Sequence, residues 1–335
     1  MKIVRSFHTL PTGGNNPMNL KKQLAAIIAV VLCFVVFDFA VYNVFTKRYV
    51  NHTSKSMQAK SIELDKYLPF SDNSGIFKIN SKIKLSGDLP VIDGAAALYP
   101  VFSAFVNSLY PEESVIFDGE NFKKESKLQF TNTRGAYQSV VDGSADVIFC
   151  AKPSKEQLAY AKENNVELEL VPIGYEAFVF IVNKNNPVNN LTVEQIRDIY
   201  SGKYQKWSQV GGDNAYIDAL QRNEGSGSQT AMLSFMNGTE MKTNFLGFTG
   251  KPIGFSFRYY VEGIVENGEI KMLSLNGVYP NKENIASGSY PIVGNLYAIY
   301  NKNNDNPNIR ILIDWILSDE GQKIIEESGY VPLNN

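Results

Sequence analysis

Arg222 opens the run Arg222-Asn223-Glu224-Gly225-Ser226-Gly227-Ser228-Gln229-Thr230, which leads straight into the helical pattern AMLSFM. Glycine lets a backbone approach a ligand closely, serine hydroxyls donate hydrogen bonds, and the first N–H groups of a helix have no partner within it. A helix starting here aims those groups, and the positive end of its dipole, at whatever lies in front of it. A guanidinium alongside adds a fixed charge with forked donors that suit a tetrahedral oxyanion. Arg222, Gly225, Ser226, Gly227 and Ser228 therefore outline an anion site, with Glu224 as a charge in the same loop. The run lacks Gly-Lys-Ser/Thr, so it is not the phosphate loop of nucleotide hydrolases.

Two more stretches could bring helix N-termini to the same anion. Thr131-Asn132-Thr133-Arg134-Gly135 precedes the helical run AYQSVV, and Asp93-Gly94-Ala95-Ala96-Ala97 precedes an amphipathic helix. Thr133 is the stronger donor candidate, with Thr131 and Arg134 beside it; helix capping for the threonines and a surface ion pair for Arg134 are the alternatives. Ala95 and Ala96 can offer only backbone N–H groups. Catalytic chemistry is poorly supplied. The two histidines, His8 and His52, lie outside the part that reads as folded, so neither a Ser-His-Asp set nor a histidine zinc site can form there. No enzyme activity, metal or cofactor is expected. With 32 Lys+Arg against 34 Asp+Glu, no global positive field favours nucleic acid as a partner.

The elements that must hold these loops read as follows. Residues 24–45 form an apolar run with one charge, Asp38, long enough to cross a hydrocarbon core of ~30 Å. Lys2, Arg5, Lys21 and Lys22 precede it and Lys47 and Arg48 follow, which places the tail 1–23 on the cytoplasmic side and the rest outside the membrane. Residues 46–86, polar and without sustained periodicity, read as an extracytoplasmic stalk. Beyond it, strand-like runs (LPVID, DVIFC, VELELV, EAFVFIV) alternate with helical patterns, the signature of an α/β fold. Leu98, Val101, Phe102, Phe105, Val106 and Leu109 mark one buried helix face. Ser154-Lys155-Glu156-Gln157 and Thr192-Val193-Glu194-Gln195 fit the capping box. The apolar runs 176–188 and 290–307 suit two crossings between lobes: 87–175 with 293–335 as the first lobe, and 176–292 inserted as the second.

The segments LPVIDGAAALYPVFSAF, ADVIFCAKPS, NPVNNLTVEQIRDIYSGKYQKWSQVGG, RNEGSGSQT and DEGQKIIEESGYVPL, in that order, resemble the phosphate-binding subunits of bacterial ABC importers. These are periplasmic-type solute-binding proteins of two α/β lobes joined by crossover strands, closing on ligand by hinge motion. The resemblance implies that Arg222, Ser226, Gly227 and Ser228 hold the anion from the second lobe, and Thr133 with the 93–97 loop from the first. It also implies inorganic phosphate or a related oxyanion as ligand and importer permease subunits as partners. A membrane-anchored sensory or interaction module of the same fold, binding anions weakly or not at all, is the alternative. Two positions depart from the family pattern. The first loop usually carries a hydroxyl where this chain has alanines. Family members that select phosphate often place a carboxylate, acceptor for the ligand's own proton, where this chain has Lys152; charged lysine cannot accept that proton, and Glu224 is the available substitute.

Overall fold

The computed structural model describes residues 20–53, 62–242, 250–265 and 268–333. The chain divides into two compact units, Met1–Lys55 and Ser56–Asn335. In the first, α1 (Leu20–Thr53) is a single helix of 34 residues, about 51 Å long at 1.5 Å per residue. Its window Leu24–Val41 has a mean hydropathy of 2.9 and leaves Leu, Ile, Val and Phe side chains exposed all round, as a lipid-facing helix does. By length and composition it can cross a bilayer.

Among the described residues of the second unit, nine strands alternate with helices. The strands are β1 (Ile92–Gly94), β2 (Val147–Cys150), β3 (Leu168–Asn183), β4 (Asn190–Leu191), β5 (Ile217–Ala219), β6 (Lys251–Phe257), β7 (Ile270–Met272), β8 (Ser274–Leu275) and β9 (Val293–Asn301). The α-helices are α2 (Tyr99–Leu109), α3 (Asn132–Asp142), α4 (Lys155–Glu163), α5 (Val193–Tyr200), α6 (Gly227–Met236), α7 (Lys282–Ala286), α8 (Pro307–Ile316) and α9 (Asp319–Glu327). The main sheet runs β1-β2-β9-β3-β6-β5, with β7 also on β3 and β4-β8 forming a separate ribbon.

Side-chain alternation along β2 explains how helices cover both faces. Val147 and Phe149 point into the core under α2, α8 and α9, while Ile148 and Cys150 point to Ala136, Tyr137 and Val140 of α3, as a period of two requires. Both capping boxes close at hydrogen-bond distance. Gln157 N–H donates to Ser154 Oγ (3.2 Å) and Ser154 N–H to Gln157 Oε1 (2.8 Å); Gln195 and Thr192 repeat this at 3.0 and 2.8 Å.

The long strand β3 belongs to two halves of the sheet. Residues 168–177 pair with β9, and 178–183 pair with β6 and β7. Each half carries its own core: one around Phe102, Phe105, Phe149 and Trp315, the other around Phe178, Phe180, Tyr200, Trp207 and Phe255. The sequence showed two separate strand-like runs here, VELELV and EAFVFIV, and between them lies Pro172, which lacks an N–H for a ladder. Instead the register shifts between Pro172 and Gly174, and this irregularity absorbs the proline without breaking the strand. The chain returns to the first half at Ile292, whose carbonyl accepts from Phe178 N–H at 3.0 Å. The run 293–301 is a strand of that half.

The expected stalk needs correction. Residues 46–53 continue α1, and 54–61 lie outside the described residues. From residue 62 the chain is packed onto the first core: Ile62, Ile76 and Leu85 are buried there. Phe70 N–H donates to Asn107 Oδ1 (2.8 Å), Leu85 N–H to Leu109 O (2.8 Å), and Ser81 Oγ to Glu320 Oε2 (2.7 Å). Side chains and turns satisfy this backbone in place of a ladder, so its apolar residues show no period.

Removing the segment should therefore weaken the body. A fragment 87–335 is expected to melt at least about 5 °C below a fragment 56–335, since three buried aliphatic side chains are lost at ~1.5–3 kcal/mol each before chain ordering is counted. Equal midpoints in thermal unfolding would show that 62–86 contributes nothing to the core.

Candidate oxyanion-binding cleft

Asp93, the central residue of β1, is fully buried. Its carboxylate accepts from Gly94 N–H (2.7 Å), Thr131 N–H (2.9 Å), Thr131 Oγ1 (2.5 Å) and Ser139 Oγ (3.1 Å). Its pKa is raised by burial, and these four donors offset that only in part. The two loops that begin α2 and α3 are thereby fixed to one another. The Thr131 hydroxyl is committed to Asp93, so it neither caps α3 nor faces a ligand. Ala95 N–H is likewise committed, to Phe149 O at 2.9 Å. The 3-10 turn Ala96–Leu98 follows, and N–H groups in the first turn of such a helix have no acceptor within it.

On the opposite wall, Ser226 caps α6, its Oγ accepting from Gln229 N–H at 3.2 Å. That leaves the hydroxyl hydrogen free to point outward. Gln229 Oε1 accepts from Arg222 N–H at 2.8 Å, folding the loop back on its helix. Gly225 makes the bend with φ +76°, a conformation that favours glycine. The half-buried Arg222 guanidinium is hydrogen-bonded to the Tyr260 hydroxyl; burial lowers its pKa and Tyr260 partly offsets this. Arginine stays charged under such a shift. Tyr260 opens the π-helical turn Tyr260–Val265 that follows β6.

These walls enclose a cavity of about 430 Å³. A methyl group placed on Gly227 would lie 3.6 Å from Thr133 Oγ1, and one on Gly225 would lie 3.5 Å from Arg134 Cδ. The N-termini of α3 and α6 thus face the same space from opposite sides. Ala95, Ala96, Thr133, Arg134, Arg222, Glu224, Gly225, Ser226, Gly227 and Ser228 all line it. Thr131 and Lys152 do not; Lys152 is exposed, because the chain turns outward after Ala151. A lysine turned away from the cavity neither supplies nor spoils a ligand contact.

Among the lining residues that were not anticipated are Glu176, Ser256 and Tyr260. Glu176 and Ser256 had a visible signal, each being a polar residue set between apolar or aromatic neighbours in its strand. Glu176 accepts from Ala177 N–H (2.8 Å) and Tyr259 N–H (3.0 Å), and Arg258 Nε lies 3.3 Å from it. The buried Arg258 also pairs with Glu262 and donates to Gly329 O. One guanidinium cannot neutralise two carboxylates, and burial pushes Glu176 up to about 7.

The family model described as PBP superfamily domain matches residues 91–320, and the chain belongs to that superfamily, a class of solute-binding proteins. Among curated relatives, the phosphate-binding protein PstS of Borreliella burgdorferi is 30% identical over 177 residues, covering 47% of this chain and 63% of that protein. PstS of Bacillus subtilis is 23% identical, covering 75% and 83%. The fold is similar to a proposed phosphate ABC transporter substrate-binding protein with bound phosphate from Clostridium perfringens (TM-score 0.56, 23% identity, 72% of this chain and 98% of that one). It is also similar to an ABC-type phosphate transport receptor from Vibrio cholerae (TM-score 0.51, 19% identity, 72% and 98%).

The position of Glu176 gives a pH dependence of definite sign. Its ionisation opposes folding, since the folded-state value lies above the ordinary 4.5. That penalty is absent below about 4.5, grows as pH rises to about 7, and is constant above. The midpoint of Glu176→Gln minus that of wild type should therefore climb between about pH 5 and 7.5 in thermal unfolding. A flat difference would show that Glu176 ionises as an ordinary surface carboxylate.

Proposed function

We propose that this chain is a solute-binding protein that captures inorganic phosphate, or a similar tetrahedral oxyanion, outside the membrane and delivers it to an ABC importer. The observation that carries this reading is the meeting of two helix N-termini, those of α3 and α6, across one cavity beside Arg222. Thr133 and the N–H groups of the 96–97 turn donate from one wall. Ser226, Ser228, the first N–H groups of α6 and Arg222 donate from the other. Dispersed neutral donors replace an anion's hydration shell, and the guanidinium supplies matching charge. The names of the relatives and the phosphate bound in one similar fold support the choice of ligand.

Capture and release need motion of one wall against the other. The backbone passes between the halves within β3, near residues 177–178, and returns at 290–293, so bending at these two places changes the gap between α3 and α6. The proposed role is binding without chemistry. Leu24–Val41 would anchor the chain as a single membrane span, with the body on the extracytoplasmic side and permease subunits as its partners.

Isothermal titration of the full-length chain in detergent tests this. Phosphate should bind, and a ligand at a hundred times its dissociation constant should add about 2.7 kcal/mol of stability. Arg222→Ala should weaken phosphate binding at least a hundredfold while moving the ligand-free midpoint by no more than about 3 °C, because the side chain is only half-buried. Unchanged affinity in the variant, or no binding of phosphate, sulfate or molybdate by wild type, would refute the assignment.

A further inference from the structure

We infer that the cleft contains a second, apolar subsite beside the oxyanion donors, so that its ligands include phosphate monoesters and phosphonates bearing a short hydrocarbon group. The inference rests on the reading of Thr133, Arg222, Ser226 and Ser228 as an oxyanion site. Away from those donors the wall changes character: Ile62, Ala96, Leu98, Phe130, Leu296 and Tyr330 line the cavity, and all belong to or pack against one hydrophobic cluster. The Tyr330 hydroxyl donates to Ala97 O and its ring is buried, so the partly buried Ala96 and Phe130 present the most apolar surface of this wall. Glu176, in the same wall, commits its oxygens to Ala177 and Tyr259 N–H groups and to Arg258.

Such a wall is a poor match for a bare oxyanion. An oxygen turned toward methyl groups and rings loses its water and gains no donor. A substituent in place of that oxygen removes the mismatch and buries apolar surface. Ala95, Ala96 and Ala97 also line the cavity and add no polar side-chain group to it. Size agrees: an added methyl group on Gly227 or Gly225 would touch Thr133 or Arg134 on the facing wall, so the donor end is narrow, yet the cavity as a whole holds about 430 Å³. That lies within the range of about 300–1,000 Å³ typical of organic-ligand sites.

The test is titration of the full-length chain in detergent with inorganic phosphate and with methyl-, ethyl- and butylphosphonate, repeated on Phe130→Ala. Phe130 is only partly buried, so the variant is expected to fold, and its ligand-free midpoint verifies this. Affinity should rise along the alkyl series by up to about fourfold per methylene, and Phe130→Ala should flatten the rise while leaving inorganic phosphate unchanged. Binding of phosphate with alkylphosphonates at least tenfold weaker, or an affinity indifferent to chain length, would overturn the apolar subsite and leave the oxyanion site standing. If neither phosphate nor any phosphonate binds, the oxyanion site itself fails and the subsite with it. If Phe130→Ala folds and keeps the full slope, the subsite is refuted as described.

Discussion

Four donors converge on the carboxylate of Asp93, which is wholly removed from solvent, and through it the first wall of the cleft acquires its shape. A buried carboxylate is tolerated only when its lone pairs are matched. Matching them here requires the 93–97 loop and the 131–135 loop to sit at one fixed separation. Thr133 faces the cavity because Thr131 is held behind it, and Ala96 faces the cavity because Ala95 is tied to β2. The donors that could meet a ligand are the residues left over once Asp93 and the sheet are satisfied.

A second buried carboxylate stands where the sheet changes halves. Glu176 lies one residue before the last β3–β9 pair, and Arg258 joins it to the π-helical turn and to the loop after α9. Three segments that must shift relative to one another in any bending of β3 therefore share one guanidinium. Desolvation makes this group of charges costly, and the incomplete neutralisation of Glu176 is the visible sign of that cost.

What could be read from the sequence was whatever depends on neighbours along the chain. The capping boxes at Ser154 and Thr192, the face of α2 and the start of α6 at Ser226 are interactions within four residues, and residue order encodes them directly. The Arg222–Ser228 loop was legible for the same reason. Long-range pairings were not. Nothing near Thr131 reveals that its hydroxyl belongs to Asp93, and nothing near Arg222 points to Tyr260. The run 62–86 looked like a stalk because its buried residues are spaced by the shape of the surface they cover, with no helix or strand period to announce it. The unbroken course of β3 through Pro172 depended on a change of register that only the pairing with β9 displays.

The way residues 62–86 lie on the body has a mechanical consequence. Their buried side chains join the first core alone, so a covalent tether upstream of Ile62 grips one half of the sheet and leaves the half carrying α6 and Arg222 as the free limb. Ile62 is itself part of the cavity wall. A force entering the backbone at Ile62 would therefore load the first half at the edge of the cavity, with α6 and Arg222 outside its direct path.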